Sequence, residues 1–118
     1  MRPGTLAVGG VLLLAGILRF TGLSWGLRHA PVRDEQDFVE NAGQMIAHRD
    51  LDHRFYEYPG LFFDLLCPVL AVAPSSAPYT SPWDGLPRVT QYGASGYLAA
   101  RGLVAAFGVL NVALVMLL

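Results

Sequence analysis

The residues best suited to chemistry are two adjacent carboxylates, Asp34 and Glu35. They follow, by about seven residues, an apolar stretch that runs from Met1 to Leu27. A carboxylate held that close to a bilayer is costly to keep near hydrocarbon and is well placed to act on something lipid-borne. Low dielectric raises the pKa of such a group, which suits a general base. Consecutive side chains on a helix diverge by about 100°, so the pair cannot act as a tight dyad. The expectation is that one carboxylate faces a catalytic cavity while the other pairs with an arginine such as Arg28 or Arg33. The plainer role for Asp34 is that of a helix N-cap.

A second polar cluster, Asp50, Asp52, His53 and Glu57, has the ligand types for a divalent cation, but its spacing matches no strong metal signature. A solvated loop explains it as well, and no metal site is assigned. His29 and His48 stand alone and read as surface or interface residues. Phe55, Tyr56, Tyr58 and Trp83 make an aromatic-rich surface; aromatic faces bind sugars, and more commonly they anchor loops to bilayer interfaces. The lone Cys67 excludes an intramolecular disulfide and reads as a small buried hydrophobe.

The elements that must position these groups follow from composition. Of 118 residues, 53% are hydrophobic and 14% charged, with the apolar residues gathered at the two ends, a pattern unlike that of a soluble domain. All nine acids lie between Asp34 and Asp84. The eight basic residues are all arginine, which we read as codon bias alongside abundant Ala, Gly, Val and Leu. A net charge of −1 gives no basic patch and excludes nucleic acid as a partner.

The sequence predicts an all-α membrane protein, with two transmembrane helices flanking a long loop that carries two juxtamembrane amphipathic helices. The first span occupies 1–27. It is not a signal peptide, because its apolar core continues past Arg19 with no small-x-small cleavage pattern, and Thr5–Trp25 supplies the ~20 residues a span needs. Gly22 and Gly26 weaken its end, Trp25 is an interfacial residue, and Arg19 is close enough to snorkel or to pair with an acid. The loop covers 28–96. Its first helix, about 34–47, turns Phe38, Ala42, Met45 and Ile46 to one side and Glu40, Asn41 and Gln44 elsewhere, with Asp37 in its first turn. Pro59 opens the second, about 59–73, which is apolar, too short to span and interrupted by Asp64 and Pro68. The segments 48–58 and 73–87 read as loops. The second span is 97–118, with Arg101 near its start; its apolar ending suggests a piece of a larger protein. The loop arginines would point inward by charge, but the rule weakens beyond about 60 residues and leaves orientation open.

In this order the segments resemble a known family. Leu18-Arg19-Phe20-x-Gly22-Leu23, then Pro31-x-x-Asp34-Glu35-x-x-Phe38-Val39-x-x-Ala42, Asp50-Leu51, Tyr58-Pro59-Gly60-Leu61-Phe62-Phe63 and Arg101-Gly102-Leu103 are similar to the start of the polyprenyl-phosphate-dependent GT-C glycosyltransferases. These include the protein O-mannosyltransferases and the aminoarabinose transferases. The resemblance covers roughly residues 12–118 and implies a multi-pass plasma-membrane enzyme whose first large loop is extracytoplasmic. It implies that Asp34, with Glu35 beside it, is the catalytic base, and that Arg33, Tyr58 and Arg101 contact substrate. The implied partners are a polyprenyl-phosphate-linked sugar donor and the lipid bilayer. No cofactor is implied with certainty, a divalent cation being the one candidate. Gln36-Asp37 and Arg49-Asp50 depart from the family's small residue and Gly-Asp at those positions.

Two other functions fit parts of the pattern. A two-span accessory protein docking on a membrane complex would use Arg19 and Arg101 to pair helices. A hydrolase of lipid phosphates would need an arginine or histidine constellation that the sequence does not display.

Overall fold

The computed structural model describes residues 3–27, 33–52, 59–73, 79–81, 88–90 and 93–118. Four helices dominate: α1 (Pro3–Phe20), α2 (Arg33–His48), α3 (Gly60–Val72) and α4 (Ala94–Leu117). A short antiparallel ribbon joins β1 (Tyr79–Ser81) to β2 (Arg88–Thr90), pairing Tyr79 with Thr90, Thr80 with Val89 and Ser81 with Arg88. β1 falls within the segment 73–87 expected to be a loop, and β2 just beyond it; residues 74–78 and 82–87 lie outside the described residues. Three-residue strands are too short for their β-branched residues to establish a period of two.

The chain divides into two compact units, Met1–Leu23 with Arg101–Leu118, and Ser24–Ala100. In the first, α1 ends at Phe20, seven residues short of the expected boundary. The Thr21 amide still makes a helical bond to the Ile17 carbonyl at 2.9 Å, and its hydroxyl donates to the same oxygen at 2.5 Å. Gly22 then takes φ +80°, the left-handed conformation that commonly closes helices. At eighteen residues, α1 measures about 27 Å, under the ~30 Å of a hydrocarbon core. Among the described residues α4 is the one helix long and apolar enough to cross a membrane. It begins three residues before the expected position, where the Gly93 carbonyl accepts from the amides of Gly96 and Tyr97. Both helices of this unit carry apolar residues outward: Leu13, Leu14, Ile17 and Leu18 on α1, and Val104, Leu110, Leu114 and Val115 on α4.

The second unit has a core of its own. Val39, Ala42 and Met45 of α2 and Phe63, Leu66 and Leu70 of α3 are buried, in a unit where α2 packs on α3. Burying each of the larger side chains contributes about 1.5–3 kcal/mol. Phe38 stands edge-on to Phe62, ring centroids 5.2 Å apart, and tilted against Phe63 at 5.4 Å. The buried face of α2 is rotated from the expected one: Val39 and Gln36 are inside, while Phe38 and Ile46 are half-buried.

α2 ends in a Schellman motif. The Asp50 amide donates to the Met45 carbonyl at 3.1 Å and the Arg49 amide to Ile46 at 3.3 Å, with Arg49 at φ +54°. Arginine thus occupies the left-handed position for which glycine is the unstrained residue. Ser24–Leu27 forms a turn closed by the Leu27 amide on the Ser24 carbonyl at 3.3 Å. Gly26, at φ +77°, fills its third position, as a type II turn requires.

Candidate functional site

The acidic pair lies in the first turn of α2, which begins at Arg33. Asp34 is therefore inside the helix and not its N-cap. Both acids sit where the positive end of the helix dipole favours negative charge; Asp37, expected there too, comes one turn further on. Asp34 is exposed and Glu35 half-buried, the divergence that a 100° step imposes. Arg33 opens α2. Arg28 and Tyr58 lie outside the described residues.

One turn after Asp34, on the same face of α2, comes Phe38, and one turn later Asn41, whose side-chain amide donates to the Asp37 carbonyl at 2.7 Å. Phe38 and Phe62 are both half-buried, so the carboxylate is followed along its face by a partly open aromatic edge. Sequence reasoning treated Phe38 only as a core residue. Its spacing of four from Asp34 was the available signal. Chemically, an exposed carboxylate next to aromatic surface can accept a proton from, or hydrogen-bond to, a hydroxyl-bearing ligand whose apolar face rests on the rings.

The structure draws the other candidates apart. Arg101 Nη1 donates to the Leu23 carbonyl at 2.7 Å, satisfying a backbone acceptor just beyond the end of α1. The Arg19 side chain lies against Gly108, where an added Cβ would stand 2.5 Å from Cζ and 2.6 Å from Cδ. Asp50 accepts from the Asp52 amide at 3.1 Å, an Asx turn after α2. His53, Glu57, Phe55, Tyr56, Trp83 and His29 lie outside the described residues, and His48 is exposed in the last turn of α2. Among the described residues no group of three or more His, Cys, Asp or Glu side chains could hold a metal ion.

Cys67 sits in the α2–α3 seam, half-buried. Its thiol donates weakly to the Ala42 carbonyl at 3.6 Å and lies 3.9 Å from the Met45 sulfur. Burial pushes the thiol above its ordinary pKa, and the Asp64 carboxylate adds to the rise. This is an inert packing environment, not one that activates a nucleophile.

The outer side of α3 has a distinct character. Leu61, Leu65, Pro68 and Val72 recur at i, i+4, i+7 and i+11, opposite the buried Phe63, Leu66 and Leu70. Leu61 is 68% and Val72 83% exposed, whereas Phe63 and Leu66 are fully enclosed. The exposed side of α3 is thus largely apolar, with Asp64 as its one charge, while the opposite side is buried among the described residues. No protein-family model, curated protein or solved structure matches this chain.

Proposed function

We propose that the chain is the amino-terminal part of an integral-membrane inverting glycosyltransferase of the GT-C type, which moves a sugar from a polyprenyl-phosphate donor to an acceptor hydroxyl. In this reading α1 and α4 are two spans, with Gly22–Leu27 extending the first to the interface, and the residues between them are extracytoplasmic. The observation that carries it is the outer face of α3: opposite the face that packs on α2, Leu61, Leu65, Pro68 and Val72 are exposed around a single charge, Asp64, a pattern that suits a bilayer surface. The α2–α3 pair then rests at headgroup depth, where a lipid-borne phosphate–sugar bond is presented.

Asp34 accepts the proton of the acceptor hydroxyl. The oxygen attacks the anomeric carbon as the carbon–oxygen bond to phosphate breaks, polyprenyl phosphate departs with the bonding pair, and the configuration inverts. The edge of Phe38 and Phe62 supplies an apolar rest for the sugar ring. The test is the longer protein assayed in membranes with a labelled polyprenyl-phosphate sugar. Asp34→Asn lowers turnover by about 10²–10⁴-fold at matched expression; turnover near that of the unmodified enzyme overturns the assignment.

One observation favours a second reading, an accessory two-span protein without catalysis. Arg101 donates to the Leu23 carbonyl just beyond α1, and the Arg19 side chain lies against Gly108 of α4, as helix-pairing residues would. Undiminished transfer by Asp34→Asn, with complex assembly lost in Arg101→Gln, selects it.

A further inference from the structure

The unit of Met1–Leu23 and Arg101–Leu118 contains three arginines, Arg2, Arg19 and Arg101, and no Asp or Glu. Arg101 is engaged by the Leu23 carbonyl at 2.7 Å. Arg19, exposed in the last turn of α1, lays its side chain on Gly108 of α4. A Cβ at 108 would stand 2.5 Å from its Cζ and 2.6 Å from its Cδ, so glycine is what admits the arginine there. Gly108 lies fourteen residues after the start of α4 and nine before its end, about 21 and 14 Å along the axis. In a bilayer spanned by α4 the guanidinium is therefore well inside the ~30 Å hydrocarbon core, away from the headgroups. Leu18 and Phe20 flank Arg19 on α1, and Val104 and Phe107 precede Gly108 on α4, all of them exposed.

We propose that the α1–α4 unit docks a partner membrane-spanning helix that carries an Asp or Glu at the depth of Gly108, with Arg19 as the group that recognises it. The inference rests on the membrane reading of α1 and α4, which both functional readings share, and not on Asp34. A guanidinium cannot shed its proton when desolvated, so at hydrocarbon depth it needs an opposite charge beside it. Its planar fork donates to both oxygens of one carboxylate. Charge complementarity selects the occupant. A second copy of this unit brings no Asp or Glu, and like faces would set guanidinium against guanidinium. A phospholipid keeps its anionic group at the interface, and its acyl chains leave the arginine uncompensated. An acidic helix covers Leu18, Phe20, Val104 and Phe107 and neutralises Arg19 in the same step. Gly108 contributes by letting the arginine settle on α4 before the partner arrives, which lowers the cost of ordering it.

The experiment uses the full chain in phosphatidylcholine vesicles, whose lipid has no net charge. The probes are labelled leucine–alanine spanning peptides with Glu at the centre, Gln at the centre, or Glu moved two turns toward one end. Energy transfer to a label on the chain's amino terminus reads association, and resistance to alkaline extraction reads insertion. The central-Glu peptide binds the unmodified chain about 3–30-fold more tightly than the central-Gln peptide, the range for polar pairs between helices in membranes. Moving the Glu loses most of that gain. Arg19→Gln abolishes it, Gly108→Ala reduces it, and Arg19→Glu transfers the preference to a central-Lys peptide. A Glu preference that survives in Arg19→Gln overturns the proposal. So does an equal gain from the displaced Glu, because the guanidinium then works at the interface and not at Gly108. A chain that alkali extracts refutes the membrane reading itself; one that stays inserted and binds central Glu and central Gln equally refutes this inference alone.

Discussion

The α1–α4 unit and the α2–α3 unit are built from similar apolar residues but use them in opposite ways. In the first, leucine and valine point outward on both helices, and almost none of the apolar stretch of α4 is buried. The unit has no Asp or Glu. In the second, Val39, Phe63 and Leu66 close a core with almost no exposure, and all nine acids of the chain lie in it. Exposed apolar surface on that scale is stable only in an apolar surrounding, whereas the α2–α3 seam stabilises itself. The lesson is that hydropathy alone does not say where a helix belongs; what decides is whether the chain covers its apolar face.

The largest test of this contrast is a pair of truncations. Phe63→Ala costs the chain about 3–5 kcal/mol in denaturant unfolding from micelles, while Leu14→Ala, already exposed, costs under about 0.5 kcal/mol. Equal losses would break the contrast, because they would mean that α1 also packs into a core. A smaller effect sits at the end of α2. Arg49→Gly relieves the left-handed strain at φ +54° and raises the melting stability by about 0.5–1 kcal/mol; a loss would show that the arginine side chain contributes more than its backbone costs.

The smallest concerns the thiol in the seam. Burial first, and Asp64 second, hold Cys67 in its neutral form to higher pH than a free cysteine. Iodoacetamide therefore alkylates it more slowly than a free thiol at mildly alkaline pH, where the thiolate is the reactive species. Asp64→Asn brings the pKa part of the way down and speeds the reaction modestly. A rate equal to that of free cysteine in the unmodified chain would mean that the seam is open.

Much of this arrangement was legible because it is local. The apolar period around Ala42 and Met45, the acids Asp34 and Glu35 and the helix start at Pro59 all lie within a few residues of the elements they define. The rotation of α2 toward Val39 was not, because it depends on Phe38 meeting Phe62 and Phe63 at the edge of the seam. The end of α1 was misplaced because hydropathy is continuous through Trp25, while Gly22 acts through its dihedral angles. At the candidate site, the carboxylate stood out by charge and position. Arg101 looked equally site-like, yet its engagement with Leu23 bridges 78 positions, and no local pattern carries such a contact.

That long reach has a consequence for biosynthesis. A ribosome adding about 5–20 residues per second needs about 4–16 s to travel from Leu23 to Arg101. Throughout that interval the carbonyl after the first helix lacks its arginine latch, so the hairpin can lock only when the second helix emerges. Anything that stalls translation between the two leaves a nascent chain whose first helix is made but unfastened.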